Sequence, residues 1–214
     1  LLGDREVIKT VRPDIDVDDI EVINPKTSDK FELFSNTLYE LRKAKGMTIE
    51  QAQNLVKSNS LFFGAIMLKL GEADGMVGGA INSTGNVLRA GLQVVKTAPG
   101  VSTVSSCFLM SFDGTLYKNN DVMVFGDCAV NPDPNAAQLC DIAISTAESA
   151  RTLAGLDPRV AMLSFSTKGS AKHENVDKVV QATSMVMEKC PDLICDGELQ
   201  VDAALVKSVA RLKA

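Results

Sequence analysis

The 214-residue sequence contains no tryptophan, two tyrosines and one histidine, His173. A single imidazole excludes metal sites built from several histidines, and it leaves no second one for a serine or cysteine triad. The five cysteines form no Cys-x-x-Cys pattern. We therefore expect reduced thiols, no zinc site and a cytoplasmic location.

The chain has no excess of positive charge, since it carries 22 lysines and arginines against 27 acidic residues, a formal net charge of −5. Nucleic acids are bound by extended basic surfaces, so we expect no nucleic-acid partner. No apolar run reaches the length of a membrane span and no signal peptide is visible, so we expect no membrane partner. The sequence lacks a Walker A motif and a Gly-x-Gly-x-x-Gly motif, which excludes the usual ATPase and dinucleotide-binding sites.

What the sequence does contain is apolar residues, at 45%, and enough length for one large or two small α/β domains. It opens on Leu1 without an initiating methionine, with the pattern of a strand end and its turn. It stops at Ala214, where a helix is finishing. These ends predict an internal fragment of a longer protein.

The first third of the chain is predicted to be helical. Ser28 is placed to cap a helix that ends at about Lys45, before Gly46. Thr48 and Gln51 have the spacing of a capping box, so a second helix should begin there.

A third helix, at about 60–70, precedes a short strand at Met76-Val77. The sequence Ala98-Pro99-Gly100 interrupts the pattern and predicts a domain boundary near residue 98. The predicted domains are residues 1–98 and 99–214, each part of a larger α/β domain.

Strands and helices alternate after that boundary. Strands are predicted at 101–112 and at 122–125, the second fully buried, with Tyr117 to Asn120 in the polar connection. A helix at about 135–153 and a strand at 160–165 follow. The alternation predicts a largely parallel sheet with one antiparallel hairpin.

A Gly-rich turn between residues 73 and 85 predicts an anion site. Free N–H groups and the helix dipole attract anions at a helix start, and Ser83 and Thr84 add hydroxyls there. Arg89 can reach back toward the same anion, because long helical side chains lean toward the N-terminus. The alternative is a turn that serves only close packing, with Arg89 in solvent.

A second polar turn follows the strand at 160–165. Ligands of open α/β sheets bind at the carboxyl ends of strands, and this turn offers five candidate donors: Ser166, Thr167, Lys168, Gly169 and Ser170. The alternative is a polar helix start capped by Ser170, with Lys168 in solvent.

Four long motifs, in this order, resemble the phosphate acetyltransferase family: GMVGGAINSTGNVLRAGLQVVKTAPG, FGDCAVNPDPNAAQL, VAMLSFSTKGSA and DGELQVDAALV. The resemblance covers nearly the whole chain and implies reversible acetyl transfer between coenzyme A (CoA) and phosphate, in acetate metabolism. CoA is then a substrate, no cofactor or metal is needed, and a homodimer is expected. The implied fold has two α/β domains with flanking helices, like isocitrate and isopropylmalate dehydrogenases, with the active site in the cleft.

The resemblance also assigns two arginines to anion binding. Arg42 matches the family's ELRK motif, and Arg89 matches its N-x-L-R motif. The family's aspartate and its Ser-Arg pair, which deprotonate and bind CoA, belong to a motif beyond Ala214, so the general base is not identified here.

Other candidates for chemistry within the chain are weaker. Asp127 is the nearest acidic residue, but a capping or turn role is the better interpretation. Cys107 and Cys128 lack a basic partner that would lower a thiol pKa, so we expect core packing for both and direct attack by CoA in a ternary complex.

Two other functions remain open at this point. A non-catalytic CoA- or phosphate-binding module could keep the same fold, and a butyryl-transferring specificity is an alternative to acetyl. A metal-dependent dehydrogenase of similar fold would need clustered aspartates at a strand end, and the sequence has no such cluster.

Overall fold

The structure is a computed structural model that describes residues 1–112 and 122–214. These residues pack into two compact units, Leu1–Lys96 and Thr97–Ala214. The assignment of each unit to a larger domain stays a prediction. No helix in the described ranges is long and apolar enough to cross a membrane.

The first unit is helical, apart from one parallel bridge between Leu2 and Ile23. Its helices are α1 (Arg5–Val11), α2 (Phe31–Arg42), α3 (Ile49–Ser58), α4 (Ser60–Leu70) and α5 (Thr84–Ala90). A 3-10 turn, Lys43–Lys45, extends α2, and a π-helical turn, Gly91–Val95, extends α5.

Helix α4 forms the centre of this unit. It is apolar on all sides, and residues 61–66 are buried. The ring of Phe63 packs on that of Phe34 from α2, with centroids 4.7 Å apart. A helix without a polar face is stable in water only when its neighbours cover it, as α2, α3 and the π-helical turn do here.

The helical predictions for the first unit are partly confirmed. Thr48 and Gln51 form the predicted capping box, and α4 has the predicted bounds. Ser28 does not cap α2: its hydroxyl accepts a hydrogen bond from the Lys30 N–H at 3.2 Å, which makes a turn before the helix.

The predicted strand at Met76-Val77 is wrong. Both residues lie in an irregular segment, and the Val77 side chain is fully exposed. A β-strand needs a neighbouring strand whose backbone pairs with its N–H and C=O groups. Two apolar residues between glycines are too short a segment to form such a pairing.

The second unit is mixed α/β. Its strands are β1 (Cys107–Ser111), β2 (Val122–Gly126), β3 (Arg159–Leu163) and β4 (Ile194–Leu199). Its helices are α6 (Ala136–Ala154), α7 (Glu174–Lys189), α8 (Val201–Leu205) and α9 (Lys207–Lys213). Strands β1 and β2 pair antiparallel, with Cys107 opposite Gly126.

Strands β3 and β4 pair in parallel, with Arg159 opposite Ile194. Helix α7 connects β3 to β4 along the chain and packs against both strands. Helix α6 packs on α7. The core of this layer combines alanines and valines of the helices with Met162 and Cys195 of the strands. The helix predicted at about 135–153 and the antiparallel hairpin are confirmed, whereas a largely parallel sheet stays a prediction.

Two strand predictions are wrong in detail. The strand expected from Val101 begins only at Cys107, and β2, expected to be fully buried, is half-buried with Phe125 exposed. The hydroxyls of Ser102 and Thr103 donate to Asp141 instead, which anchors that segment to α6. The predicted polar connection, Tyr117 to Asn120, lies outside the described residues.

Candidate functional site

The Gly-rich turn begins α5 in the way the sequence predicts. Ser83 is the N-cap, and its hydroxyl accepts a hydrogen bond from the Asn86 N–H at 3.3 Å. Ser83, Thr84 and Arg89 are exposed. Within residues 1–112 and 122–214, Arg89 has no hydrogen-bond or ion-pair partner, so its guanidinium is free to meet an anion from solution.

Two glycines of the same turn are required by the structure, Gly78 by close packing and Gly79 by its backbone conformation. A Cβ added to Gly78 would lie 3.0 Å from a methyl carbon of Leu61 in α4, and Gly79 has a φ of +122°, which disfavours other residues. The turn therefore packs closely on the helical core and also presents polar groups to solvent.

Arg42 ends α2 and is half-buried. Its Nε is buried and has no hydrogen-bond partner in the part of the chain that the structure describes. The nearby charges Glu40 and Lys43 pair with each other at 2.5 Å. A buried donor without a partner is costly, so the Arg42 guanidinium is suited to an anionic ligand that satisfies it.

The second polar turn lies at the carboxyl end of a parallel pair of strands. It follows β3, and residues 196–200 at the end of β4 contact it. Because β3 and β4 are parallel, both ends lie at the same edge of the sheet. Ser166 and Thr167 are buried there, and Lys168, Gly169 and Ser170 are exposed.

Glu198 is a buried carboxylate that sequence reasoning missed. Its Oε1 accepts hydrogen bonds from the Ser166 hydroxyl at 3.0 Å and from the Gly169 N–H at 2.6 Å. Burial raises the pKa of Glu198, but these hydrogen bonds and the charge of Lys168 outweigh burial and lower it overall. The turn thus binds an anion, and that anion is a side chain of the same chain.

The other donors of the turn also have partners. Thr167 Oγ1 accepts from the Gln200 N–H at 2.9 Å, and the Ser170 hydroxyl accepts from the Thr167 N–H at 3.0 Å. Lys168 pairs with Asp196, and both side chains are largely exposed. Lys168 and Gly169 have φ values of +47° and +82°, a left-handed pair that turns the chain sharply.

The alternative in which Ser170 caps the next helix is wrong. Helix α7 begins at Glu174, and its cap is His173, whose Nδ1 accepts from the Asn175 N–H at 3.1 Å. The predicted ligand contacts of residues 166–170 stay predictions. The signal for Glu198 was present in the sequence DGELQ, whose acidic residues end a strand.

Asp127 lies at the end of β2 and is saturated with hydrogen bonds. It accepts from the N–H groups of Ala129, Val130 and Asn131, at 2.8–3.2 Å, and from the hydroxyl of Ser106. Burial raises the pKa of Asp127, but these bonds outweigh it and hold the pKa below the ordinary range. A carboxylate whose lone pairs are all occupied is a poor general base, in agreement with the turn role expected for it.

The cysteines are all free thiols. Cys140 and Cys195 are buried, and burial raises the pKa of Cys195 to about 11. Core packing was expected for Cys107 and Cys128 but is wrong for Cys128, which is exposed, and only half true of Cys107. In the described residues no group of three or more His, Cys, Asp or Glu side chains is placed to hold a metal ion.

The described residues form a mixed α/β fold with two polar turns, one at the start of α5 and one after β3. The model of the phosphate acetyl/butaryl transferase family matches residues 1–214. The chain belongs to that family, which confirms the resemblance seen in its motifs.

Curated relatives extend the match over every residue. The phosphate acetyltransferase of Thermoanaerobacterium thermosaccharolyticum is 51% identical over 214 residues, and that of Acetivibrio thermocellus is 50% identical over 214 residues. Each alignment covers 100% of this chain and 65% or 64% of the relative. The chain therefore spans about two thirds of the length of these relatives.

Two solved structures of phosphotransacetylases are similar to this chain along its whole length. A phosphotransacetylase from Streptococcus pyogenes superimposes with a TM-score of 0.88 at 43% identity, covering 100% of this chain and 63% of that one. A phosphotransacetylase from Staphylococcus aureus gives a TM-score of 0.86 at 42% identity, with coverages of 100% and 64%.

Proposed function

We propose that the protein is a phosphate acetyltransferase, which reversibly converts acetyl-CoA and phosphate into CoA and acetyl phosphate. The observation that carries the proposal is identity of about half of all residues, along the whole chain, with proteins named for that activity. Both substrates carry phosphate groups, which fits the exposed guanidinium of Arg89 and the unpaired Nε of Arg42 in the first unit.

Acetyl transfer from phosphate to CoA requires groups that stabilise the negative charge of the reacting atoms, and it requires no separate cofactor. In the direction that forms acetyl-CoA, the CoA thiol gives its proton to a general base, which returns it to the departing phosphate, and the CoA sulfur attacks the acetyl carbonyl carbon. The C–S bond forms as the C–O bond to phosphate breaks, and phosphate leaves as an anion. No metal and no cofactor beyond the substrate CoA take part in this mechanism.

Arg42 and Arg89 are proposed to bind the phosphate groups of CoA or of the acyl phosphate. The unpaired Nε of Arg42 and the free guanidinium of Arg89 support these roles. Ser83 and Thr84 at the start of α5 supply further donors. Asp127 is not proposed as the base, because its oxygens already accept several hydrogen bonds.

The finer architecture follows from the same family. We propose two α/β domains of the isocitrate dehydrogenase type with mostly parallel sheets, a homodimer, and a cytoplasmic location. The domain limits are proposed at residues 1–98 and 99–214. Neither nucleic acid nor a membrane is a proposed partner.

Thioester formation tests the activity. The intact protein is incubated with CoA and acetyl, propionyl or butyryl phosphate, with a chelator present, and the thioester is followed by absorbance. The proposal expects turnover with acetyl phosphate that the chelator leaves unchanged. Faster turnover with butyryl phosphate would assign the other specificity in the family's description.

A binding-only module is the second outcome. In that case the folded protein binds CoA in calorimetry but forms no thioester from any of the three acyl phosphates. This result would contradict the transferase proposal directly.

A further inference from the structure

The 166–171 turn is divided between a buried half and an exposed half. Ser166, Thr167 and Glu198 are buried, with exposed fractions of 0%, 2% and 4%, whereas Lys168 and Ser170 are exposed. A ligand can reach only the exposed half. The buried half can act on a ligand only through the exposed residues.

Glu198 joins the two halves. Its Oε1 receives both the Ser166 hydroxyl and the Gly169 N–H, so one oxygen atom connects β4 to the left-handed bend of the turn. The Lys168 N–H also donates to the Glu198 carbonyl oxygen at 3.2 Å. Ser166 is itself held, because its Oγ accepts from the Ala171 N–H at 3.1 Å.

The exposed half keeps a cation that can exchange partners. Lys168 pairs with Asp196, but the two side chains are 41% and 55% exposed. Ion pairs this exposed contribute little free energy, so a phosphate can replace Asp196 at the ammonium group. Glu198, in contrast, is held by short hydrogen bonds in a buried site, where exchange is costly.

We propose that Glu198 is a positioning residue: it holds the 166–171 turn so that Lys168 and Ser170 face a phosphate group of the substrate. Ser166 acts with it and does not contact the ligand, and Gly169 acts with it through its backbone N–H. This inference rests on the proposed transferase function. It divides the residues predicted from the sequence into contact residues, Lys168 and Ser170, and supporting residues, Ser166 and Gly169.

The test compares variants of the intact protein. Glu198→Gln keeps the shape and one acceptor but removes the charge, and Ser166→Ala removes one donor to that acceptor. Lys168→Ala removes the proposed contact, and Glu188→Gln repeats the glutamate change at an exposed position of α7. The measurements are kcat, the KM values for acetyl phosphate and CoA, and the melting temperature.

We expect Glu198→Gln and Ser166→Ala each to lower kcat/KM by about tenfold, chiefly through a higher KM for one phosphate-bearing substrate, the same one that Lys168→Ala affects. The double variant should lose less than the product of the two single losses, because both changes weaken the same hydrogen bond. Glu188→Gln should stay within about twofold of wild type. A merely structural role would lower the melting temperature and kcat without this KM pattern.

Three results would overturn the inference. The first is wild-type kinetics in both Glu198→Gln and Ser166→Ala, and the second is a double variant whose loss equals the product of the single losses. If Glu198→Gln does not fold, the kcat and KM values of Ser166→Ala and Lys168→Ala are compared instead. The third is a wild-type protein that forms no thioester, which refutes the proposed function, and the inference falls with it.

Discussion

At the scale of single residues, two carboxylates organise the loops that follow strands. Asp127 follows β2 and Glu198 lies in the last part of β4, and each accepts hydrogen bonds from a turn of the backbone. Neither carboxylate has a lysine or arginine as its main partner. Their pKa values are lowered mainly by hydrogen bonds, which depend on the geometry of the turn.

Replacing Asp127 should therefore affect stability in a pH-dependent way. Asp127→Asn turns one acceptor into a donor that faces N–H groups, so the unfolding free energy at pH 7 should fall by about 2 kcal/mol. Urea unfolding measures it, with Asp74→Asn at an exposed site as the control.

The sign of the pH dependence follows from the direction of the pKa shift. The folded protein holds the Asp127 proton less tightly than the unfolded chain does. The stabilisation is complete above the unfolded-chain pKa of about 4 and is lost as the pH falls toward the lower folded value. The difference between wild type and Asp127→Asn should shrink below pH 4, and a constant difference would contradict this account.

Gly126 is required by a close contact with α6. A Cβ at this position would lie 2.0 Å from Thr146 Oγ1. Gly126→Ala should lower the unfolding free energy by about 1–3 kcal/mol. Thr146→Ala in the same chain should recover at least part of the loss, whereas Gly75→Ala, with open space around it, should change little. No recovery would show that the clash lies elsewhere.

At the scale of elements, the start of α6 is specified locally. Asn135 accepts from the Gln138 N–H at 3.0 Å, and the Gln138 side chain accepts from the Asn135 N–H at 2.9 Å. Asn135→Ala should cost about 1 kcal/mol in urea unfolding. Asn54→Ala, an exposed position inside α3, should cost nothing, because alanine favours helix. Equal effects of the two changes would argue against the cap.

Local signals explain which elements the sequence predicts well. The start of α3 and both ends of α4 and α6 are set by caps and glycines that act over three or four residues, and these ends were predicted closely. The prediction of a strand at Met76-Val77 was wrong because strand formation depends on pairing with a second strand that is distant in the sequence. The strand prediction for the segment before Cys107 was wrong because Ser102, Thr103 and Ser106 form hydrogen bonds to aspartates far away in the sequence.

The candidate site shows the same division. The two polar turns were predicted from short motifs, and α5 begins near Ser83 as expected. Glu198 was missed because its partners Ser166 and Gly169 lie about thirty residues away, and only the parallel pairing of β3 and β4 brings them together.

At the scale of the whole molecule, the thiols should differ in reactivity by their exposure. Cys128 is exposed, whereas Cys140 and Cys195 are buried, and burial raises the pKa of the Cys195 thiol to about 11. The thiolate is the reactive form, so iodoacetamide at pH 8 should modify Cys128 first in the native protein. Peptide mass analysis checks the order, which early labelling of Cys195 would contradict. In urea all five cysteines should react.

The proposed function requires that an acidic chain, with a net charge of −5, bind phosphate groups through a few placed cations and use them in acetyl transfer. A local site of this kind concentrates its effect in single residues. Arg89 is the sharpest test, since it has no partner among the described residues and its loss should not disturb the fold.

The most direct measurement is acetyl-CoA formation from acetyl phosphate and CoA by the intact protein, by Arg89→Ala and by Arg12→Ala. Arg12 is also exposed in the first unit, where it pairs only with Asp14. We predict turnover by wild type and by Arg12→Ala, and a loss of about 100-fold or more in kcat/KM for Arg89→Ala with an unchanged melting temperature. No turnover by folded wild type, or equal activity of the two variants, would contradict the account.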